Sequence, residues 1–278
     1  MRGKVLLALV AALSAASAYS SPRAPQGGED VVRAVRYYYS HMFGSVSLEL
    51  DGRGRYVRTT GDCTSAHTEK GSYEIADGVL SLTCEEAKTR PHGDREGAVP
   101  GPESARQRGC ERTSQRLLLV GWGERMYLID EAEARRFANA VNVGAEPRRQ
   151  PRDLLADSRF TNLGLFLLRE GDEEKPAPGL PEMPAAWQPY LLKQPVSARV
   201  AGIRAEGKDR RVALLETRDG EALRPGMLLS AAGHTPLYAA SSWLEVVSVE
   251  QGVVRARVHG EVKLGDVVST RYEPADDK

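Results

Sequence analysis

The chain has 278 residues, with 38 basic and 38 acidic side chains, so no net charge steers it toward nucleic acid or an anionic surface. Its three cysteines, Cys63, Cys84 and Cys110, lack the paired short spacings of a zinc module. There is no Walker loop, dinucleotide glycine pattern, G-x-S-x-G elbow, H-E-x-x-H pair or calcium loop, which removes the local signatures of the common nucleotide, hydrolase and metal chemistries.

Arg2 and Lys4 precede an apolar run from Val5 to Ala16, and Ala16-Ser17-Ala18 has the small-x-small form accepted by signal peptidase. Residues 1–18 therefore read as a signal peptide, with a mature terminus near Tyr19 and export to the periplasm or the extracellular space. The run is shorter than the roughly 20 apolar residues a membrane helix needs. No later segment approaches that length, so no transmembrane helix is expected in the mature protein, and no cysteine follows closely enough for lipid attachment. Roughly 260 residues remain, enough for two cores of about 100 to 130 residues each.

In an oxidising compartment three cysteines allow one intramolecular bridge and leave one thiol. Cys84 with Cys110 is the preferred pair, because residues 85–109 are mostly polar, Gly and Pro and cannot hold themselves in place by burial. Closing such a loop stabilises a fold by about 3 to 4 kcal/mol on the chain-entropy estimate. Cys63 with Cys84 is the alternative.

Residues 29–42 place Val31, Ala34, Val35, Tyr38 and Met42 on one helical face and predict a short amphipathic helix. The period then changes to two. Val46, Leu48 and Leu50 alternate with polar residues before the turn Asp51-Gly52-Arg53-Gly54, and a second run covers 55–59. Asp77-Gly78 separates 72–76 from 79–84, the strongest short hairpin signal. A third strand pair flanks Gly121-Trp122-Gly123-Glu124, and Asp130 with Glu133 opens a helix over 131–142 whose buried stripe is Ala134, Phe137, Ala138 and Val141. With Asp51-Gly52, Gly71-Ser72-Tyr73, Asp77-Gly78 and Leu80-x-Leu82 in place, residues 45–129 resemble the lipocalin-like β-meander of many secreted bacterial proteins. That resemblance implies a sheet curling around an interior.

Residues 146–195 carry Pro147, Pro151, Pro176, Pro178, Pro181, Pro184, Pro189 and Pro195 interleaved with Leu180, Met183, Trp187, Tyr190, Leu191 and Leu192. Pro spacing of this kind excludes regular helix and central strand, while the apolar residues argue for packing on a surface. The segment reads as an ordered strap with Trp187 mostly buried. Six strand-like runs follow, over 196–205, 211–216, 227–231, 243–249, 253–258 and 267–271. Within them, Gly220–Ser230 echoes Gly260–Ser269. The echo resembles the G-D-x-V turn of small β-barrel modules in exported and cell-envelope proteins, flagellar and pilus assembly factors among them.

The expected fold is mainly β with a minor α+β character: an antiparallel β-meander or partial barrel with two short helices over 29–145, the strap over 146–195, and a second small β-barrel over 196–273. Candidate metal ligands are His67 with Glu69 and His92 with Asp94, read as loop residues whose alternate side chains share a side. Trp122, Tyr127 and Trp187 are candidate binding aromatics; the Trp122 ring in a Gly-flanked turn is hard to bury locally. Arg148, Arg149 and Arg152 form a small basic cluster. No catalytic residue and no cofactor are assigned. The expected role is an exported, non-enzymatic binding or scaffold protein with a protein or small-ligand partner and no nucleic acid; the alternatives are a small-ligand carrier and a metal-assisted hydrolase.

Overall fold

Alternating apolar and polar residues let an antiparallel sheet curl shut with one face inside. Eight strands do this: β1 (Arg36–His41), β2 (Gly44–Leu50), β3 (Arg55–Asp62), β4 (Ser65–Ala76), β5 (Val79–Pro91), β6 (Ser114–Trp122), β7 (Arg125–Asp130) and β8 (Phe166–Arg169). They follow one another around a closed antiparallel barrel, completed where Tyr37 of β1 faces Arg169 of β8. The computed structural model describes residues 35–41, 44–62, 65–91, 110, 113–144, 166–207, 210–231 and 242–271. The proposed signal peptide, Cys63, His92, Asp94, Arg148, Arg149 and Arg152 lie outside the described residues.

Turn chemistry sets the register. Asp77 and Gly78 both take positive φ, 52° and 75°, as a type I′ hairpin requires. At the β2–β3 turn the Asp51 carboxylate accepts the Arg53 and Arg55 N–H groups at 2.7 and 2.9 Å. Inside the barrel, Tyr37, Leu48, Leu50, Tyr56, Leu80, Leu82, Leu117, Leu128 and Leu167 form one buried cluster, with Tyr73 and Ile75 of β4 packed against it. Every strand thus contributes to the interior.

Strands β6, β7 and β8 are buried on their outer face as well. Leu118, Val120, Trp122, Tyr127, Ile129, Phe166 and Leu168 make a second cluster beneath α1 (Ala134–Val143). Asp130 opens this helix through a 3-10 turn, its Oδ1 accepting the Ala132 N–H at 3.0 Å. Phe137, fully buried, meets Phe166 edge-on at 5.0 Å and Trp122 at 6.1 Å. Cys84 and Cys110 are disulfide-bonded with Cα atoms 6.0 Å apart.

Three sequence expectations are corrected. The helix over 29–42 is replaced, in its described part, by strand β1: Tyr37, assigned off the buried face, is fully buried, and pairing with β2 from Arg36↔Glu49 to His41↔Gly44 outweighs a helical pattern written in β-favouring tyrosines. Among the described residues one α-helix therefore stands where two were expected. Residues 85–91 are not loop but continue β5 against β4, with Ala87 buried between them. Phe166–Arg169, placed in the strap, closes the first barrel.

The second barrel comprises β9 (Ser197–Ala205), β10 (Arg211–Glu216), β11 (Leu228–Ala231), β12 (Trp243–Glu250), β13 (Val253–His259) and β14 (Val267–Ser269), in the closed order β10-β13-β12-β11-β14-β9. The two echoed segments turn through Gly226 and Gly265, at φ 86° and 88°, and deliver β11 and β14, which pair with each other at Ser230↔Ser269. Val200, Ala213, Leu229, Leu244, Val254, Ala256 and Val268 fill its core.

Asp172, only 1% exposed, ties the start of the strap to the first barrel. Its carboxylate accepts the Arg169 guanidinium at 2.8 and 3.1 Å and the Met126 N–H at 2.9 Å, and pairs with Lys175 at 2.8 Å. Burial pushes its pKa up, and the hydrogen bonds from Arg169, Lys175 and Met126 outweigh burial, so the carboxyl sits below its ordinary value. A depressed pKa gives stability that is present above the unfolded value of about 3.9 and is lost as pH falls through the folded value. Denaturant titrations should show acid destabilisation of the wild type below about pH 4, and Asp172→Asn should flatten that dependence while costing about 3 kcal/mol at neutral pH. A second expectation concerns Tyr37, whose buried hydroxyl has no hydrogen-bond partner among the described residues and whose phenol pKa is pushed up by burial. Tyr37→Phe should leave stability unchanged or raise it by about 1 kcal/mol, because an unpaired buried hydroxyl is costly; a loss above about 1 kcal/mol would show that the hydroxyl is satisfied.

Candidate binding groove at the barrel junction

His67 and Glu69 lie on β4, not in a loop, and both side chains point into the first barrel, since Arg58 faces Glu69 and Thr60 faces His67 in the row continued from inward Tyr56. His67 Nε2 is 3.3 Å from Glu69 Oε1, and its Nδ1 is 2.9 Å from Thr89 Oγ1. Arg58 approaches Glu69 at 4.0 Å and donates to Gln115 Oε1 at 2.6 Å; Gln115 in turn donates to Asp130 at 2.8 Å. This chain of contacts lines one end of the barrel interior above the apolar cluster. Both imidazole nitrogens are engaged, and no group of three His, Cys, Asp or Glu positioned to hold a metal occurs among the described residues.

Of the three candidate aromatics, Tyr127 is fully buried beneath α1. Trp122 is not at a turn tip but ends β6, paired with Arg125, and is 7% exposed. The strap buries it: the indole N–H donates to Gly179 O at 2.9 Å, and Glu182 N donates to Gly121 O at 2.7 Å. Gly123, at φ 58°, completes the fit, because a Cβ there would stand 2.5 Å from Pro178 Cδ and 2.6 Å from Pro176 O. Trp187 is buried over most of its surface, packed against the cluster beneath α1 with the Tyr190 ring 5.5 Å away.

Two asparagines of α1 join the parts. Asn142 donates to Tyr190 O at 2.8 Å and accepts the Leu192 N–H at 2.9 Å, so its amide caps the strap as a peptide group would. Asn139, 7% exposed, donates to Gly226 O at 2.9 Å and accepts the Leu228 N–H at 3.3 Å, reaching the second barrel where β11 begins. Gly226 takes φ 86° at this joint, a backbone conformation suited to glycine, with the Arg135 side chain of α1 lying over it.

Between α1, the strap and the end of the second barrel lies a groove of about 410 Å³. Trp122, Val141, Leu180 and Leu192 supply its apolar surface, and Lys193 and Arg271 its charge. A second groove, of about 460 Å³, includes Leu191, Arg224 and Asp219 and shares Leu192, Lys193 and Pro195 with the first, so the two flank one ridge. Sequence reasoning found Trp122 but missed Lys193 and Arg271, which carry no local pattern and meet only through the fold.

No family model, curated protein or solved structure matches the chain. Among the described residues no helix is long and apolar enough to cross a membrane.

The Asn139 joint has a measurable consequence. Asn139→Ala leaves Gly226 O and the Leu228 N–H without their partner in a buried contact and should cost about 2 kcal/mol. Small-angle scattering should show a more extended, more variable molecule; an unchanged profile and an unchanged melting temperature would show that the asparagine does not hold the barrels.

Proposed function

We propose that the protein is an exported, non-enzymatic scaffold that holds two β-barrels in one arrangement and offers their junction to a partner. The observation that carries this reading is the joint itself, where buried Asn139 and half-buried Asn142 place specific hydrogen bonds between α1, the strap and the second barrel. Buried polar pairs fix geometry more than they add stability, because any other arrangement leaves them unsatisfied. A protein whose parts act independently has no use for such a joint. The basic start, apolar run and Ala16-Ser17-Ala18 support export. The fully buried interior of the first barrel, with Tyr37, Leu48, Leu80 and Leu128 at 0% exposure, favours a structural barrel over a deep ligand cup.

Mass spectrometry of protein from the native host should find a mature terminus near Tyr19. A photo-crosslinking residue placed at Leu180, which is 39% exposed in the groove, should give one adduct of defined mass in the host, and the same residue at exposed Asp77 on the β4–β5 hairpin, outside the groove lining, none. An intact Met1 on intracellular protein would remove the export reading, and equal or absent labelling at the two positions would remove the scaffold reading.

A further inference from the structure

The groove at the junction combines an apolar floor with cations that the fold leaves unspent. Lys193 and Arg271 are both exposed and line it, and neither has a carboxylate partner among the described residues. Arg271 places its guanidinium beside the C-terminal end of α1, 3.4 to 3.8 Å from where a Cβ on Gly144 would be. A helix C-terminus favours a cation in this place. Beside it, Leu180 and Leu192 expose apolar surface against buried Trp122 and Val141.

We propose that this groove binds an acidic, apolar peptide segment of a partner protein, its carboxylates on Lys193 and Arg271 and an intervening apolar side chain against Leu180 and Leu192. The assignment rests on the scaffold reading and names the chemistry of the partner. Charge complementarity selects the occupant: the groove pairs two uncompensated positive groups with an apolar floor, so a basic or purely polar segment meets repulsion or leaves the floor wet.

The probe is a fluorescein-labelled decapeptide alternating Asp or Glu with Leu or Phe, compared with the same peptide carrying Asn and Gln in place of the acids, on the full mature protein. Fluorescence polarisation should show the acidic peptide binding at least tenfold more tightly than its amide counterpart, and more weakly as salt rises. Lys193→Glu with Arg271→Glu should weaken it at least tenfold and either replacement alone severalfold, Leu180→Ala severalfold, and Arg255→Glu, the same charge change as one of those single replacements but on an exposed β13 position outside the groove, should leave it unchanged. Unchanged melting temperatures would show that the variants fold. The proposal falls if the two peptides bind alike, if charge reversal in the groove has no more effect than Arg255→Glu, if benzoate at equal concentration displaces the peptide fully, or if phosphatidylglycerol vesicles bind through the same two cations more tightly than the peptide. A photo-adduct at position 180 without affinity for the acidic peptide would overturn this assignment alone and leave the scaffold reading standing.

Discussion

The architecture depends on three strands that are buried on both faces. β6, β7 and β8 turn Leu117, Leu128 and Leu167 into the first barrel and Leu118, Val120, Tyr127, Ile129, Phe166 and Leu168 outward under α1 and the strap. A sheet with one solvated face needs alternation; a wall covered on both sides needs continuous apolar sequence. β8 is the extreme case, four residues long, with Phe166, Leu167 and Leu168 all buried. Its closure of the barrel and its support of the helix are inseparable, because the same residues do both. Asp172 follows immediately and anchors the chain where it leaves the barrel to become the strap.

The remaining joints are polar for a related reason. Apolar contacts between α1 and its neighbours tolerate sliding, since the hydrophobic effect has no direction. Asn139 and Asn142 do have direction: each amide donates to one backbone carbonyl and accepts from one backbone N–H, a pairing that a shift of a few ångströms breaks at both ends. The helix is thereby the common reference for the strap and the second barrel. Gly123 serves the same end by subtraction, allowing the strap prolines to approach where a methyl group would collide.

The second barrel was legible almost strand by strand, because its runs are short, β-branched and separated by Gly, Asp and Pro turns. Its two echoed Gly turns feed neighbouring strands. The Asp77-Gly78 hairpin was legible for a similar local reason, the demand for positive φ at both central positions. The N-terminal helix was misread because Val31, Ala34, Val35, Tyr38 and Met42 satisfy a helical period, while the decisive fact, that Tyr37 and Tyr39 can point inward opposite Leu48 and Val46, is a property of pairing and not of the segment. β8 lies in a Pro-free stretch of the connector, between Pro151 and Pro176, where a four-residue apolar strand has no period to read. At the candidate groove, Trp122 drew notice because an indole between glycines is unusual, and the strap proved to be what covers it. Lys193 and Arg271 gave no signal, being 78 positions apart in a chain rich in basic residues and brought together only by the path of the strap.

That path explains why a groove exists at all. Proline fixes φ near −65° and removes a donor, so the strap cannot join a sheet edge over any length; among the described residues its sheet pairing with β6 is the isolated bridge Gly121↔Glu182, beside the Trp122 indole bond to Gly179 O. A segment that cannot follow the barrel surface closely must span it, and where it spans it leaves space. The 3-10 turn at Gln188–Tyr190 brings the chain back to α1, where Asn142 holds it, and Val196 N is received by Thr270 Oγ1 at 2.9 Å as the second barrel begins. The space between those fixed points is bounded by Trp122 on one side and by Arg271, one residue beyond Thr270, on the other. The groove is therefore a geometric consequence of strapping two closed barrels together with a chain that makes few sheet hydrogen bonds. Unlike a mobile linker, a strap pinned at Gly179, Asn142 and Thr270 keeps that space open in one shape, which is the condition for selecting an occupant by its chemistry.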